Sequence, residues 1–341
     1  MLLSAGAAER PTASAGRSAL TPAGDAAVSP KAPAALAVSA SGTLYIVDPE
    51  RDQILRLLPS GRFAVFAGRG RHGFSGDGGP AARARLGLNS NSTIAVAPGG
   101  TVYIADTGNN RVRAVAPGGP IRTLVRVNGP AGLALAPHGQ LYISGQGLSR
   151  LSLRNGRLRW LVRWAQPPSG HNRVEYYLAS GTLNDVAVDR AGDLYVAGFS
   201  GIFERTASGA VRCLGSFRAG GAPAQLTEGP GGALYGATFT VFRLGASALD
   251  ARGSCDGGAP LVAERSTEIV AGSTIRRVDR ALGWRDLARA HLPLLSPSSG
   301  LAVGDDGAIY YDAASGNGWA TGALVEIEAS GRVRMLWRAP R

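Results

Sequence analysis

Short apolar runs, separated by polar clusters rich in Gly and Pro, follow one another along almost the whole chain. Leu36-Ala37-Val38, Ile94-Ala95-Val96, Leu133-Ala134-Leu135, Val186-Ala187-Val188 and Leu301-Ala302-Val303 each precede, at constant spacing, a Gly-x-aliphatic-Tyr sequence. That sequence occurs six times, ending at Tyr45, Tyr103, Tyr142, Tyr195, Tyr235 and Tyr310. Six of the nine tyrosines therefore occupy one repeated slot. The copy at Tyr235 departs in its preceding run, which reads Leu226-Thr227-Glu228. The pattern predicts a strand with a small central alanine, a turn through the glycine, and a second strand opened by the aliphatic residue and the tyrosine. Two more strands usually follow, as in Ile54–Leu57 and Phe63–Phe66 around the turn Pro59-Ser60-Gly61.

Repeats of this length also occur in helical solenoids, but alternating or short apolar runs broken by Gly and Pro exclude that reading. Four short antiparallel strands per unit, with alanines where units crowd an axis, predict an all-β fold, a β-propeller of six blades. The gap between Tyr235 and Tyr310 is the longest, and residues 245–297 hold no clean copy of the pattern. They are read as an insertion in the fifth blade or, alternatively, as a degenerate seventh. Ile275–Val278 and Trp284–Leu287 within them read as an outer strand pair.

The loop Gly76-Asp77-Gly78-Gly79-Pro80-Ala81-Ala82-Arg83-Ala84-Arg85-Leu86 resembles the segment joining successive NHL repeats. Tyr103-Ile104-Ala105-Asp106-Thr107-Gly108-Asn109-Asn110-Arg111-Val112-Arg113 resembles the heart of such a repeat. The likeness extends over residues 33–340 as architecture and is close in the second unit only; the others lose the Asp-to-Asn-Arg segment. Residues Asp106 to Arg111 read as a structural device, since Asp and Asn bond their own turns and an arginine can cross to a neighbouring blade.

Composition refines this picture. With 49 Gly, 20 Pro and 45% hydrophobic residues the chain is turn-rich, yet has enough apolar material for a large core. No run of apolar residues is long enough to span a membrane as a helix. The net charge of +12 rests almost wholly on arginine, Lys31 being the only lysine. The arginines are spread along the chain, with looser groups at Arg69, Arg71, Arg83 and Arg85 and at Arg150, Arg154, Arg157, Arg159 and Arg163. They read as a solvated basic surface, which makes a nucleic-acid partner a secondary expectation. Residues 1–32, rich in Ala, Pro, Ser and Thr, read as a flexible lead-in, its apolar start as the remnant of an export signal. An extracytoplasmic or secreted location is expected, with the cytoplasm as the alternative. Cys213 and Cys255 are one disulfide in the first case and two buried thiols in the second.

Candidate chemistry is sparse. The position eleven residues before each repeated tyrosine reads Ala34, Ser92, Ala131, Asn184, Ala224 and Ser299, and is expected to ring a channel mouth. It is small and neutral except at Asn184-Asp185. Asn184-Asp185-Val186-Ala187-Val188-Asp189 resembles the inner-strand motif of gluconolactonase (regucalcin-like) propellers. That resemblance implies a divalent metal such as calcium held partly by Asn184. Glu228-Gly229-Pro230 is superficially similar to the same family's Glu motif, but falls at the end of a strand. His72, His138, His171 and His291 show no ligand spacing. The loop 164–184, with Trp164, His171, Asn172, Arg173, Glu175, Tyr176 and Tyr177, should overhang the mouth carrying Asn184. Its rings beside Arg and His suit a planar or glycan-like ligand, the alternative being that Tyr176 and Tyr177 pack the outer blade surface.

The expected ligand residues are therefore Asn184, Asp185, His171, Arg173, Tyr176 and Tyr177, with no metal and no cofactor. The function expected is a non-catalytic, monomeric propeller binding a protein, peptide or small molecule. The alternatives are a metal-dependent lactonase-like hydrolase or lyase at the channel mouth, and an RNA-binding propeller.

Overall fold

The computed structural model describes residues 28–163, 183–198, 201–215, 225–229, 234–237, 241–244, 267–271, 275–279, 283–288, 295–315, 321–330 and 332–338. The chain is an all-β propeller. Its first sheet comprises Ala35–Val38 (β1), Leu44–Asp48 (β2), Gln53–Leu57 (β3) and Phe63–Ala67 (β4). The second comprises Ile94–Val96 (β5), Val102–Asp106 (β6), Arg111–Val115 (β7) and Ile121–Arg126 (β8). Leu133–Ala136 (β9), Gln140–Gly145 (β10), Gly147–Ser152 (β11) and Leu158–Arg163 (β12) form the third. Leu183–Val188 (β13), Leu194–Gly198 (β14), Gly201–Arg205 (β15) and Val211–Gly215 (β16) form the fourth. The next holds Gln225–Glu228 (β17), Leu234–Ala237 (β18), Val241–Leu244 (β19) and Thr267–Ala271 (β20). Ile275–Asp279 (β21) and Gly283–Ala288 (β22) pair as a two-stranded sheet. Leu295–Val303 (β23), Ile309–Ser315 (β24), Thr321–Ile327 (β25) and Val333–Arg338 (β26) close the chain.

Every strand pairing is antiparallel, and every four-stranded sheet is built of consecutive strands. The first strands β1, β5, β9, β13, β17 and β23 touch in that order, and β23 returns to β1. The expected pair in the long insertion is present, with Val278 opposite Trp284. Because β20 already completes its sheet, β21 and β22 are all that stands between it and β23 among the described residues. Cys213 lies on β16, opposite Phe203. Cys255 falls outside the described residues, and the question of its pairing with Cys213 does too.

The repeated tyrosine has a consistent register. Tyr45, Tyr103, Tyr142, Tyr195 and Tyr310 stand directly opposite Ala37, Ala95, Ala134, Ala187 and Ala302 of the first strands. In the fifth sheet Tyr235 faces Thr227. A small residue there leaves room for the ring across the ladder, a second reason for the alanines beyond crowding at the axis. The turn between the two strands is left-handed at its glycine, as at Gly42 (φ 78°) and Gly192 (φ 88°). The core lies between blades. Val47, Ile54 and Ala67 of the first pack on Leu86, Ile94 and Ile104. Leu36, Ile46 and Leu55 meet Ala302, Tyr310 and Leu324 across the closing seam. Each such aliphatic side chain contributes about 1.5–3 kcal/mol on burial.

The Asp-to-Asn segment is a structural device, and it is used twice. Asp106, wholly buried, accepts hydrogen bonds from the Gly87 N–H (2.7 Å) and Asn109 Nδ2 (2.8 Å). A 3-10 turn then carries the chain to left-handed Asn110 (φ 53°), whose Oδ1 accepts the Gly129 N–H at 2.8 Å. Asp48-Pro49-Glu50-Arg51-Asp52 repeats this geometry in the first blade, which corrects the expectation that only the second unit keeps it. Buried Asp48 accepts from the backbone of Lys31 (2.8 Å) and Ala32, and left-handed Asp52 (φ 48°) accepts the Leu88 N–H at 2.9 Å. In both, the first carboxylate fixes the segment leading into its own blade and the left-handed residue fixes the approach to the next.

The arginine that crosses between units is chiefly Arg113. It is completely buried on β7 and donates to Arg85 O (3.0 Å), Ser75 O (3.0 Å) and Asp77 Oδ1 (2.6 Å). Thr123 Oγ1 donates to the other Asp77 oxygen at 2.6 Å. Arg111 lies instead over the Phe74 ring, 3.5 Å from its centroid. The glycine-rich loop is thereby bound to the second blade.

Candidate functional site

The six first strands enclose an axial channel of about 630 Å³, lined by Ala37, Val38, Val96, Leu135, Val188 and Val303 among others. Its polar lining comes from Thr93, Asp185 and Gln225 near the strand starts and from Thr227, Glu228, Arg190 and Asp305 at or beyond their ends.

The residues expected to ring the mouth do not form an open ring. Ala34 and Ala131 are buried in packing, and Ser92 is fully buried, its hydroxyl accepting the Asn89 N–H and pairing with Thr107 Oγ1 at 2.8 Å. Ala224 and the Ser299 side chain lie outside the described residues. The functional offset is one residue later, ten before each tyrosine: Ala35, Thr93, Gly132, Asp185, Gln225 and Gly300. The three polar members reach across to neighbouring blades. Thr93 Oγ1 donates to Ala131 O at 2.6 Å. Asp185 Oδ2 accepts the Leu226 N–H at 2.7 Å. Gln225 accepts the N–H groups of Leu36 (3.1 Å) and Leu301 (2.8 Å) and donates to Leu36 O at 2.7 Å. The glycines are the complement of these reaches. A Cβ on Gly132 would stand 2.1 Å from Asp185 Oδ1, and one on Gly300 would stand 3.0 Å from Leu36 Cγ.

Gln225 thus ties the fifth blade to the first and the last with one amide, filling the unpaired backbone positions of two inner edges. Replacing it with leucine keeps the volume and removes all three bonds. Gln225→Leu is expected to lower stability by about 2–3 kcal/mol in urea unfolding, because the orphaned amides stay buried. A loss below about 0.5 kcal/mol would mean that water satisfies them equally well.

Asn184 and Asp185 are not used together. The β13–β14 register shifts between Leu183 and Asp185, leaving Asn184 as an unpaired bulge residue, half-buried and outside the channel lining. Asp185 is turned inward and is 2% exposed. Burial raises its carboxyl to a pKa of about 7 against the pull of the Leu226 and Val186 N–H groups. Glu228 ends β17, as the repeat alignment implied, beside Asp189 and Arg190 at the opposite mouth from Asn184. Burial first, and then the Asp189 charge, hold the Glu228 carboxyl above its usual range. Asn184 and Glu228 therefore share no site.

His72 is exposed with Nδ1 3.2 Å from Asp52 Oδ1, and left-handed His138 (φ 63°) sits exposed in the turn before Gly139. His171, Arg173, Tyr176 and Tyr177, with most of loop 164–184, fall outside the described residues, as does His291. Among the described residues no three His, Cys, Asp or Glu side chains converge as metal ligands, and no helix is long and apolar enough to cross a membrane.

The comparisons with known proteins agree with this geometry. Residues 5–116 match the family model of the Teneurin NHL domain, which takes in the first blade and the second through β7. The fold is similar to that of a streptogramin B lyase, with a TM-score of 0.55 and 15% identity over 89% of this chain and 93% of that one. It is also similar to a structural genomics protein of unknown function from Bacteroides thetaiotaomicron, with a TM-score of 0.53 and 14% identity over 86% of this chain and 70% of that one. A regucalcin from Agrobacterium tumefaciens, a calcium-binding protein, aligns with a TM-score of 0.43 and 15% identity over 70% of each chain. At these identities the first two speak for the fold alone, and the third, at a TM-score of 0.43, carries no argument. The ring of four-stranded sheets makes the chain a β-propeller, and its leading blades are similar to the Teneurin NHL domain.

Proposed function

We propose that this chain is a non-catalytic binding propeller of six blades, working outside the cytoplasm, that takes a small molecule or peptide at its axial channel. Strands β21 and β22 are then an insertion after the fifth blade. One observation carries the reading: the polar side chains at the starts of the inner strands are already bonded to backbone groups of neighbouring blades. Thr93, Asp185 and Gln225 hold the ring together, and the wall between the mouths is small and aliphatic. A volume near 630 Å³ falls within the range of small-molecule sites. Half-buried Asn184 and the loop residues His171, Arg173, Tyr176 and Tyr177 are the proposed contacts at the mouth.

Thermal unfolding in EDTA, and then with calcium, manganese, zinc or copper, tests this against a metal-dependent hydrolase or lyase. The expected result is one melting temperature throughout. A resident metal would raise it by mass action, stabilising the fold by about 2.7 kcal/mol at a hundredfold excess over Kd. Such a rise would replace the binding module with the enzyme.

A further inference from the structure

Most of the net positive charge falls in one sector of the ring. Residues 69–163 hold thirteen arginines and two aspartates, whereas the whole chain has a formal charge of +12. The two aspartates, Asp77 and Asp106, both face buried Arg113, at 2.6 Å and 3.9 Å. Burial acts to raise the Asp77 carboxyl, but hydrogen bonds from Thr123 and Arg113 outweigh it and hold the group below its usual range. From residue 107 to residue 163 there is no carboxylate side chain at all.

The outermost strands of the second and third blades, β8 and β12, present Arg122, Arg126, Arg159 and Arg163 to solvent. Two of these stand directly opposite another arginine: Arg126 faces Arg111, and Arg159 faces Arg150. Like charges so placed destabilise a sheet unless an anion lies between them. Fork-shaped guanidinium groups, in place of lysines, suit bidentate pairing with the oxygens of planar carboxylate or tetrahedral sulfate groups.

We propose that this rim binds an acidic polysaccharide, a chain of sugars bearing uronate or sulfate groups. The surface is separate from the axial channel, and the proposal stands or falls independently of the ligand taken there. Two features favour a sugar polyanion over other anionic partners. Guanidinium groups already lie on the aromatic rings of the sector, Arg111 over Phe74 at 3.5 Å and Arg163 5.6 Å from Trp160. Single-stranded nucleic acid, by contrast, is held by bases stacking on open aromatic faces. The arginines also follow a convex rim across successive blades, which a flexible linear chain can trace and a flat bilayer cannot.

The test is binding of the full chain to heparin and to polygalacturonate, beside an oligothymidylate and phosphatidylglycerol vesicles. Expected is binding to at least one polysaccharide, tighter than to the oligonucleotide or the vesicles, and weakening steeply between about 50 and 200 mM salt. The double variant R126S/R159S, which removes one member of each like-charge pair, should bind about tenfold more weakly. Its melting temperature should not fall, so lost binding cannot be put down to misfolding. Tighter binding to the oligonucleotide or the vesicles, failure of both polysaccharides near 50 mM salt, or unchanged affinity of the double variant would each overturn the proposal.

Discussion

Arg113→Met is expected to cost this propeller about 3–5 kcal/mol in chemical unfolding, the range found when one partner of a buried ion pair is removed. Methionine matches the aliphatic stem but leaves Ser75 O, Arg85 O and one Asp77 oxygen without their donor. It also takes the nearest cation from Asp106, which is wholly buried and whose carboxyl is already raised by that burial. Asp106→Asn in the same chain should recover part of the loss, since an amide tolerates that site uncharged. Arg69 and Arg71 lie exposed in the same loop, so trypsin should cleave there faster in the variant. A shift below about 1 kcal/mol would mean that the loop is held by Asp52 and the apolar contacts of Leu86 and Leu88 instead.

The second large effect concerns pH. The folded chain keeps a proton on Asp185 up to about pH 7, whereas an unperturbed carboxyl releases it near 3.8. Between those values the unfolded state has lost its proton and the folded state has not. Stability therefore falls as pH rises, by about 1.4 kcal/mol per unit and about 4 kcal/mol in total, then levels off above pH 7. Asp185→Asn keeps an acceptor for the Leu226 N–H and carries no titrating group. It should match the parent near pH 4, exceed it at pH 8, and show a much flatter profile of urea midpoint against pH. Asp48, Asp106 and Glu228, also raised by burial, add smaller slopes of the same sign, and Asp77 one of the opposite sign. An unchanged slope in the variant would place the titration elsewhere.

The repeated Gly-x-aliphatic-Tyr located the second strand of each blade because it records two local necessities. One is a left-handed turn, and the other is a large ring facing a small residue across the ladder. Non-local relations were harder to read. Asp48 to Asp52 makes the same turn as Asp106 to Asn110, but Pro49-Glu50-Arg51 shares no identity with Thr107-Gly108-Asn109, so unlike letters concealed a like backbone. The ring of inter-blade bonds lies one position after the ring that the repeat spacing predicts. Thr93 and Asp185 flank Gly132, and Gln225 adjoins Gly300, a pattern of long polar against bare backbone that makes sense only once neighbouring blades are adjacent. At Asn184 the bulge defeats alignment altogether, since one extra residue moves it off the face that counting assigns. The basic sector was legible as charge, but which arginines oppose one another followed only from strand register.

Among the described residues no sheet borrows a strand from the far end of the chain: β1 to β4 are consecutive, and so are β23 to β26. In topological terms the molecule is an open strip, curled until its two ends meet, with Gln225 and the apolar seam around Leu36 and Leu324 as the clasp. Cutting the strip between two blades and joining its present ends elsewhere would leave every ladder intact. The circle is thus a property of the side chains at its axis, and the order in which its blades are strung is, for the hydrogen-bonded backbone, arbitrary.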